Sequence, residues 1–262
     1  MTAWEMVAVA AAGLAAGGIN AVVGSGTLVT FPVLLAVGLP PVTATITNSL
    51  GLVPGNLTGA IGYRRELHGQ RRLLLQLLPA SVLGALTGAF LLLHLPASAF
   101  ETIVPALVGL AVVLVAVQPM LQRRLAARRA RAGTVAEEQE VGRGRLAALA
   151  AGAYATGTYG GYFAASQGVL QIGIFGLLLR EPLQRLNAIK NVLTLAVNAV
   201  AALAYVVVAT NRIDWRAAGL VAGGALVGGY VGSTLGRRLP AALLRTAIAA
   251  LGLTAIWVLL RR

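Results

Sequence analysis

Apolar residues run through this chain in long stretches separated by short polar clusters. Ten such segments can be traced, at about 6–23, 26–38, 41–63, 73–95 and 98–118, then at about 146–163, 166–179, 186–209, 214–235 and 241–260. A helix rises ~1.5 Å per residue and the hydrocarbon layer of a bilayer is ~30 Å thick, so most of these segments are long enough to cross it. Two are not. Segments 26–38 and 166–179 are short, and each follows the first segment of its half across a small-residue break, Gly24-Ser25-Gly26 or Ala164-Ala165-Ser166-Gln167-Gly168. The pattern predicts an all-α, polytopic transmembrane helical bundle of eight to ten segments, two of them broken half-helices.

The halves share a layout. After each break come an apolar half-segment, a turn with proline (Leu39-Pro40-Pro41; Arg180-Glu181-Pro182) and a segment carrying asparagines, Asn48 and Asn56 or Asn191 and Asn198. This is a weak internal repeat. It divides the chain into a first repeat (1–121), a basic and acidic linker (122–145) and a second repeat (146–262). Basic residues cluster at 64–72, 119–145, 180–190 and 236–245, which hold 17 of the 21. With those loops in the cytoplasm, the positive-inside rule gives five crossings per half, both termini outside, and halves of opposite orientation. Inverted halves with interrupted segments are the layout of secondary transporters.

Composition narrows the class. Charged residues make up 11% and hydrophobic ones 58%, against roughly 25% charged in a soluble domain. A soluble enzyme and a single-span anchor are both excluded. The net charge of +13 would point to nucleic acid in a soluble protein, but here the basic residues lie in loops, so no nucleic-acid partner is expected. The chain has no cysteine, which removes disulfides, thiol chemistry and cysteine-ligated metals. Met1–Met6 lacks a basic n-region, so a removable signal peptide is not expected. No phosphate-binding loop appears, and no Asp or Glu lies in mid-segment, leaving direct ATP drive and a carboxylate proton relay without residues. No nucleophile–base pair supports an enzyme. No cofactor or metal is implied.

Three features can carry chemistry. The breaks each precede a short helix whose first N–H groups lack intrahelical partners and whose dipole favours an anion. Ser25, Gly26 and Thr27 mark the first, and Ser166, Gln167 and Gly168 the second. Small residues also serve plain helix packing. Asn187, Asn191, Thr194 and Asn198 form one polar stripe, with Thr45, Asn48, Ser49 and Asn56 as a looser counterpart. Such stripes line a substrate path or bond helices together at about 0.6 kcal/mol per contact. Lys190, the only lysine, lies beside Asn191. It either neutralises an anionic substrate or snorkels to the cytoplasmic face.

Some of these residues carry a family resemblance. Ala15-Ala16-Gly17-Gly18-Ile19-Asn20, Gly24-Ser25-Gly26-Thr27-Leu28 and Phe31-Pro32 resemble the first-half motif of the sulfite exporter TauE/SafE family, also called the toluene sulfonate uptake permeases. Leu186-Asn187-Ala188-Ile189-Lys190-Asn191-Val192-Leu193 with Asn198 is similar to its second-half motif, as are Asp214-Trp215, Gly223-Gly224 and Gly228-Gly229-Tyr230-Val231-Gly232. Many members have a Gly-Gly-Gly run at both breaks, where this chain has Gly-Ser-Gly and Ser-Gln-Gly. The resemblance implies a multi-pass protein of the bacterial inner membrane that moves sulfite, organosulfonates or related anions. Asn20 joins the candidate substrate-binding residues through that motif. The expected partners are a small anion, the bilayer and, as an open alternative, further copies of the chain in a homo-oligomer. A passive anion channel and a non-transporting membrane scaffold or assembly protein are the other readings.

Overall fold

A computed structural model describes residues 1–131, 142–179 and 181–235, and every regular element among them is helical. The nine α-helices among the described residues are α1 (Ala3–Val22), α2 (Thr27–Ala36), α3 (Pro41–Gly62), α4 (Arg71–His94), α5 (Ala97–Arg131), α6 (Arg143–Tyr162), α7 (Gln167–Leu178), α8 (Leu183–Ala209) and α9 (Trp215–Leu235). α1 starts on a capping box: Thr2 Oγ1 accepts from the Glu5 N–H at 3.3 Å, and Glu5 Oε2 accepts from the Thr2 N–H at 2.7 Å. The pairing satisfies two donors that the helix start would leave bare. α3 opens on Pro41, whose fixed φ suits a first helical position.

Five helices, α1, α4, α5, α8 and α9, are long and apolar enough to cross a membrane. α3 and α6 have 22 and 20 residues but are less apolar over the length of a span. Each is covered by a more apolar helix, α3 by α9 and α6 by α4. The chain is therefore a multi-pass membrane protein, as the apolar pattern predicts. α2 and α7 are the expected short helices, with 10 and 12 residues.

Two glycine seams set helix directions. Gly13 faces Val221 so closely that a Cβ on it would lie 2.6 Å from the Val221 carbonyl oxygen, and Gly17 faces Ala225 four residues on. Gly51 and Gly55 of α3 meet the same two residues. Residue numbers rise together on all three helices, so α1, α3 and α9 are parallel. In the second seam Gly84 faces Tyr154 and Gly88 faces Thr158, making α4 parallel to α6. α4 begins on the face where α3 ends, so it returns across the bundle, and α6 runs opposite to α1. Because α1 and α3 share a direction, with Asn20 bonded to Asn56, the chain between them must return by roughly 22 Å. The ten residues of α2 supply about 15 Å of this, and the turn at 37–40 supplies the rest.

One boundary differs from expectation. The linker expected over 122–145 is helical to Arg131 and again from Arg143, because α5 and α6 extend into it. Leu121 and Leu125 continue the apolar face of α5 and pack on Gly173 and Gly176 of α7, with Leu125 buried. Arginine, glutamine and alanine around them are good helix formers. The expected segment 241–260, the basic cluster 236–245 and Arg180 lie outside the described residues.

Candidate functional site

The two breaks are built alike. At the end of α1 the N–H groups of Val23 and Gly24 both reach the Ile19 carbonyl, at 2.7 and 3.1 Å. At the end of α6 those of Phe163 and Ala164 both reach the Tyr159 carbonyl, at 2.9 and 3.2 Å. The chain then turns through a left-handed residue, Gly24 (φ 87°) in the first break and Ala164 (φ 64°) in the second. Ser166 is left-handed as well, at φ 60°. Two non-glycine residues in that region within one short segment cost free energy that the surrounding packing must offset. Beyond each turn the short helix doubles back.

The breaks meet each other. The Gly168 N–H, at the start of α7, donates to the Gly24 carbonyl at 3.1 Å. A Cβ on Gly24 would sit 2.6 Å from Gly168 Cα, and one on Gly168 would sit 2.7 Å from Gly24 Cα. Gly26 is equally tight against the backbone of Ala16, and its N–H donates to Asn20 Oδ1 at 3.3 Å. Residues 144 positions apart in sequence thus share one backbone contact at the heart of the bundle.

Lys190 is fully buried there. Its Nζ donates to the carbonyls of Asn20 at 2.9 Å and Ala21 at 3.2 Å, and Asn191 Nδ2 also donates to Ala21, at 3.2 Å. These are the last carbonyls of α1, which have no intrahelical donor and sit at the negative end of its dipole. The ammonium therefore turns inward to α1 rather than outward to a membrane face. An ammonium has three N–H donors, so one remains beyond the two engaged here. No Asp or Glu side chain is buried among the described residues, and Lys190 is the one buried charge among them.

The polar stripes divide into two groups. Asn48 is fully employed: its Oδ1 accepts from Thr30 and its Nδ2 donates to Thr27 Oγ1 at 3.1 Å, tying α2 to α3. Ser166 Oγ likewise donates to the Ala111 carbonyl of α5 at 3.2 Å. Asn20 Nδ2 donates to Asn56 Oδ1 at 2.6 Å. Other buried groups find no partner among the described residues. They include Ser25 Oγ, Asn56 Nδ2, both polar atoms of Gln167, Gln171 Nε2, Asn187 Oδ1 and Asn198 Oδ1, with Ser81 Oγ and the hydroxyls of Tyr159 and Tyr162 besides. A buried polar atom left without a hydrogen bond costs about 1–3 kcal/mol, and Ser25 and Gln167 carry such atoms in the breaks themselves.

Two contributors are not evident from the sequence. Gln118 of α5 is buried, donates to the Val23 carbonyl at 3.3 Å and leaves its Oε1 unpartnered among the described residues. It closes a predicted segment, next to Pro119, and so reads as interfacial. Gln171 accepts from Thr194 Oγ1 at 3.0 Å, linking α7 to α8. Its place three residues after Gly168 was a usable signal. Asn198 lies about 10 Å along α8 from Asn191, with no bond to the central group among the described residues.

Helices that stop and restart inside a multi-pass bundle are an architecture of membrane transporters. The chain belongs to the Sulfite exporter TauE/SafE family, whose family model matches residues 9–259. It is similar to a protein of Sinorhizobium sp named Probable membrane transporter protein ORF9, with 32% identity over 92 residues. That match spans 35% of this chain and 35% of the relative. No solved structure matches the chain.

Proposed function

We propose that this chain is a secondary carrier, not an enzyme, for small anions such as sulfite, organosulfonates or related organic anions, in the bacterial inner membrane. Two inverted halves, 1–121 and 146–262, rock about the paired breaks to expose the site to either side. The observation that carries this reading is the junction of the breaks at Gly24 and Gly168, surrounded by buried donors without partners. The N-termini of α2 and α7 contribute about +0.5 charge each. The third N–H of Lys190 and the amides of Gln167, Gln171 and Asn56 add donors that suit an oxyanion. The exchanged packing supports the inversion: α1 seats on α9 as α6 seats on α4. Backbone contact between the breaks favours an alternating carrier over an open anion channel.

Saturable uptake by proteoliposomes, screened with sulfite, thiosulfate, sulfoacetate and simple carboxylates, tests the function. Gln167→Leu keeps the side chain's bulk and removes two unpartnered polar atoms. It is expected to leave the thermal midpoint unchanged or higher and to lower uptake at least tenfold, about 1.4 kcal/mol. Unchanged uptake would take Gln167 out of the site.

Topology has its own test, made clean by the absence of cysteine. A single cysteine at His68, in the exposed turn before α4, is expected to label only from the cytoplasm. One at Asn211, in the exposed turn before α9, is expected to label only from outside. The reverse pattern contradicts the proposed orientation.

A further inference from the structure

The face opposite the His68 turn carries a groove that the central site does not use. Two adjoining cavities, of about 190 and 400 Å³, open there, and both are lined by His94 and Arg212. Asn211 lines the first and Thr43 the second, and no carboxylate lines either. The larger cavity has room for an oxyanion with part of its hydration shell, since a water occupies ~30 Å³.

The cation there is unneutralised among the described residues. Arg212 forms no ion pair with any described residue, although Asp214 is two positions away. The ring of His94 is held in place, stacked on Phe90 with centroids 4.0 Å apart. Its Nδ1 lies 3.0 Å from the Phe90 carbonyl. A carbonyl only accepts, so Nδ1 carries the proton and Nε2 is the free edge. α3 also begins on this groove, at Val42 and Thr43, with no side chain capping its first turn. Its dipole adds to the positive field of Arg212. Cations are sparse on this face by the charge bias, which makes a lone arginine at a groove notable for more than topology.

We propose that this groove is a second, outward oxyanion-binding site, with Arg212 as its principal ligand and Thr43 beside it. If the carrier reading above holds, it captures the anion before or after the central site. The same chemistry fits a free small oxyanion or a lipid phosphate, and the test separates them.

Radiolabelled sulfite binding to the full chain in phosphatidylcholine nanodiscs reads the site directly, without transport. In the Gln167→Leu background a weak, saturable binding is expected to remain, and adding Arg212→Gln is expected to weaken it about tenfold, the worth of one charge-assisted hydrogen bond. Arg212→Lys is expected to restore part of it. Arg212-dependent retention of phosphatidylglycerol, with no sulfite binding, supports the site and assigns it to lipid. Sulfite and phosphatidylglycerol binding that are both indifferent to Arg212→Gln overturns the proposal. Absence of transport with Arg212-dependent binding intact overturns the carrier reading alone.

Discussion

Lys190→Met is expected to leave the protein folded and to reduce anion uptake more than tenfold. The fold has little to lose. Replacing a buried charge by an apolar side chain of similar volume is often neutral or stabilising, while the Asn20 carbonyl, which Lys190 holds at 2.9 Å, forfeits its donor at about 1–3 kcal/mol and the Ala21 carbonyl keeps the one from Asn191. The two effects oppose each other, so the thermal midpoint in detergent should move by only a few degrees. Transport has much to lose. A unit charge about 4 Å from an anion is worth about 1 kcal/mol in water and about 4 kcal/mol in a surface-like dielectric, and no other cation is buried among the described residues. A dianion should suffer more than a monoanion, since the Coulomb energy doubles. Equal uptake by wild type and Lys190→Met, with both proteins folded, would make Lys190 a fastener for α1 and nothing more.

Substitution at the junction of the breaks should be costlier still. Gly24 has φ 87°, and a Cβ on it would lie 2.6 Å from Gly168 Cα, so alanine is strained by about 1–2 kcal/mol from the backbone alone before the clash is counted. Gly168→Ala meets Gly24 Cα at 2.7 Å and Lys190 Cδ at 2.8 Å. Neither neighbour is free to yield, because one is backbone and the other belongs to a tethered side chain. Both variants are expected to lose uptake by at least tenfold and to unfold at lower temperature. Gly219→Ala and Gly223→Ala are the controls. A Cβ at either has nothing within 4 Å among the described residues, and alanine favours a helix over glycine by about 1 kcal/mol, so both should be as stable as wild type or more so, with uptake intact. Loss of uptake in the controls would show that any added side chain is harmful, and the junction would lose its special standing.

The division of labour among these residues explains what was readable in advance. Apolar runs long enough to span, two runs too short to do so, and glycine or serine at each break follow from local pattern, and the helices of the described residues appear where that pattern places them. The partners of the polar residues do not follow. Asn48 belongs to the same kind of stripe as Asn56, yet it is consumed by Thr27 and Thr30 while Asn56 keeps a free amide. Lys190 stood between two readings, and its geometry depends on Asn20 and Ala21, 170 and 169 positions away. Gln118 was obscured by the end of α5, because Leu121 and Leu125 carry that helix beyond the apolar segment. Local pattern marks where helices break, whereas long-range packing decides which buried polar groups keep no partner among the described residues.

Counterflow in proteoliposomes tests the central claim most directly. Vesicles loaded with unlabelled sulfite and diluted into a trace of labelled sulfite should accumulate label transiently above equilibrium, because a carrier returns loaded from each side. Gln167→Leu and Lys190→Met should abolish that overshoot while the proteins remain folded. Label that only relaxes to equilibrium, with a steady anion current and no overshoot in wild type, would contradict an alternating carrier built on the paired breaks.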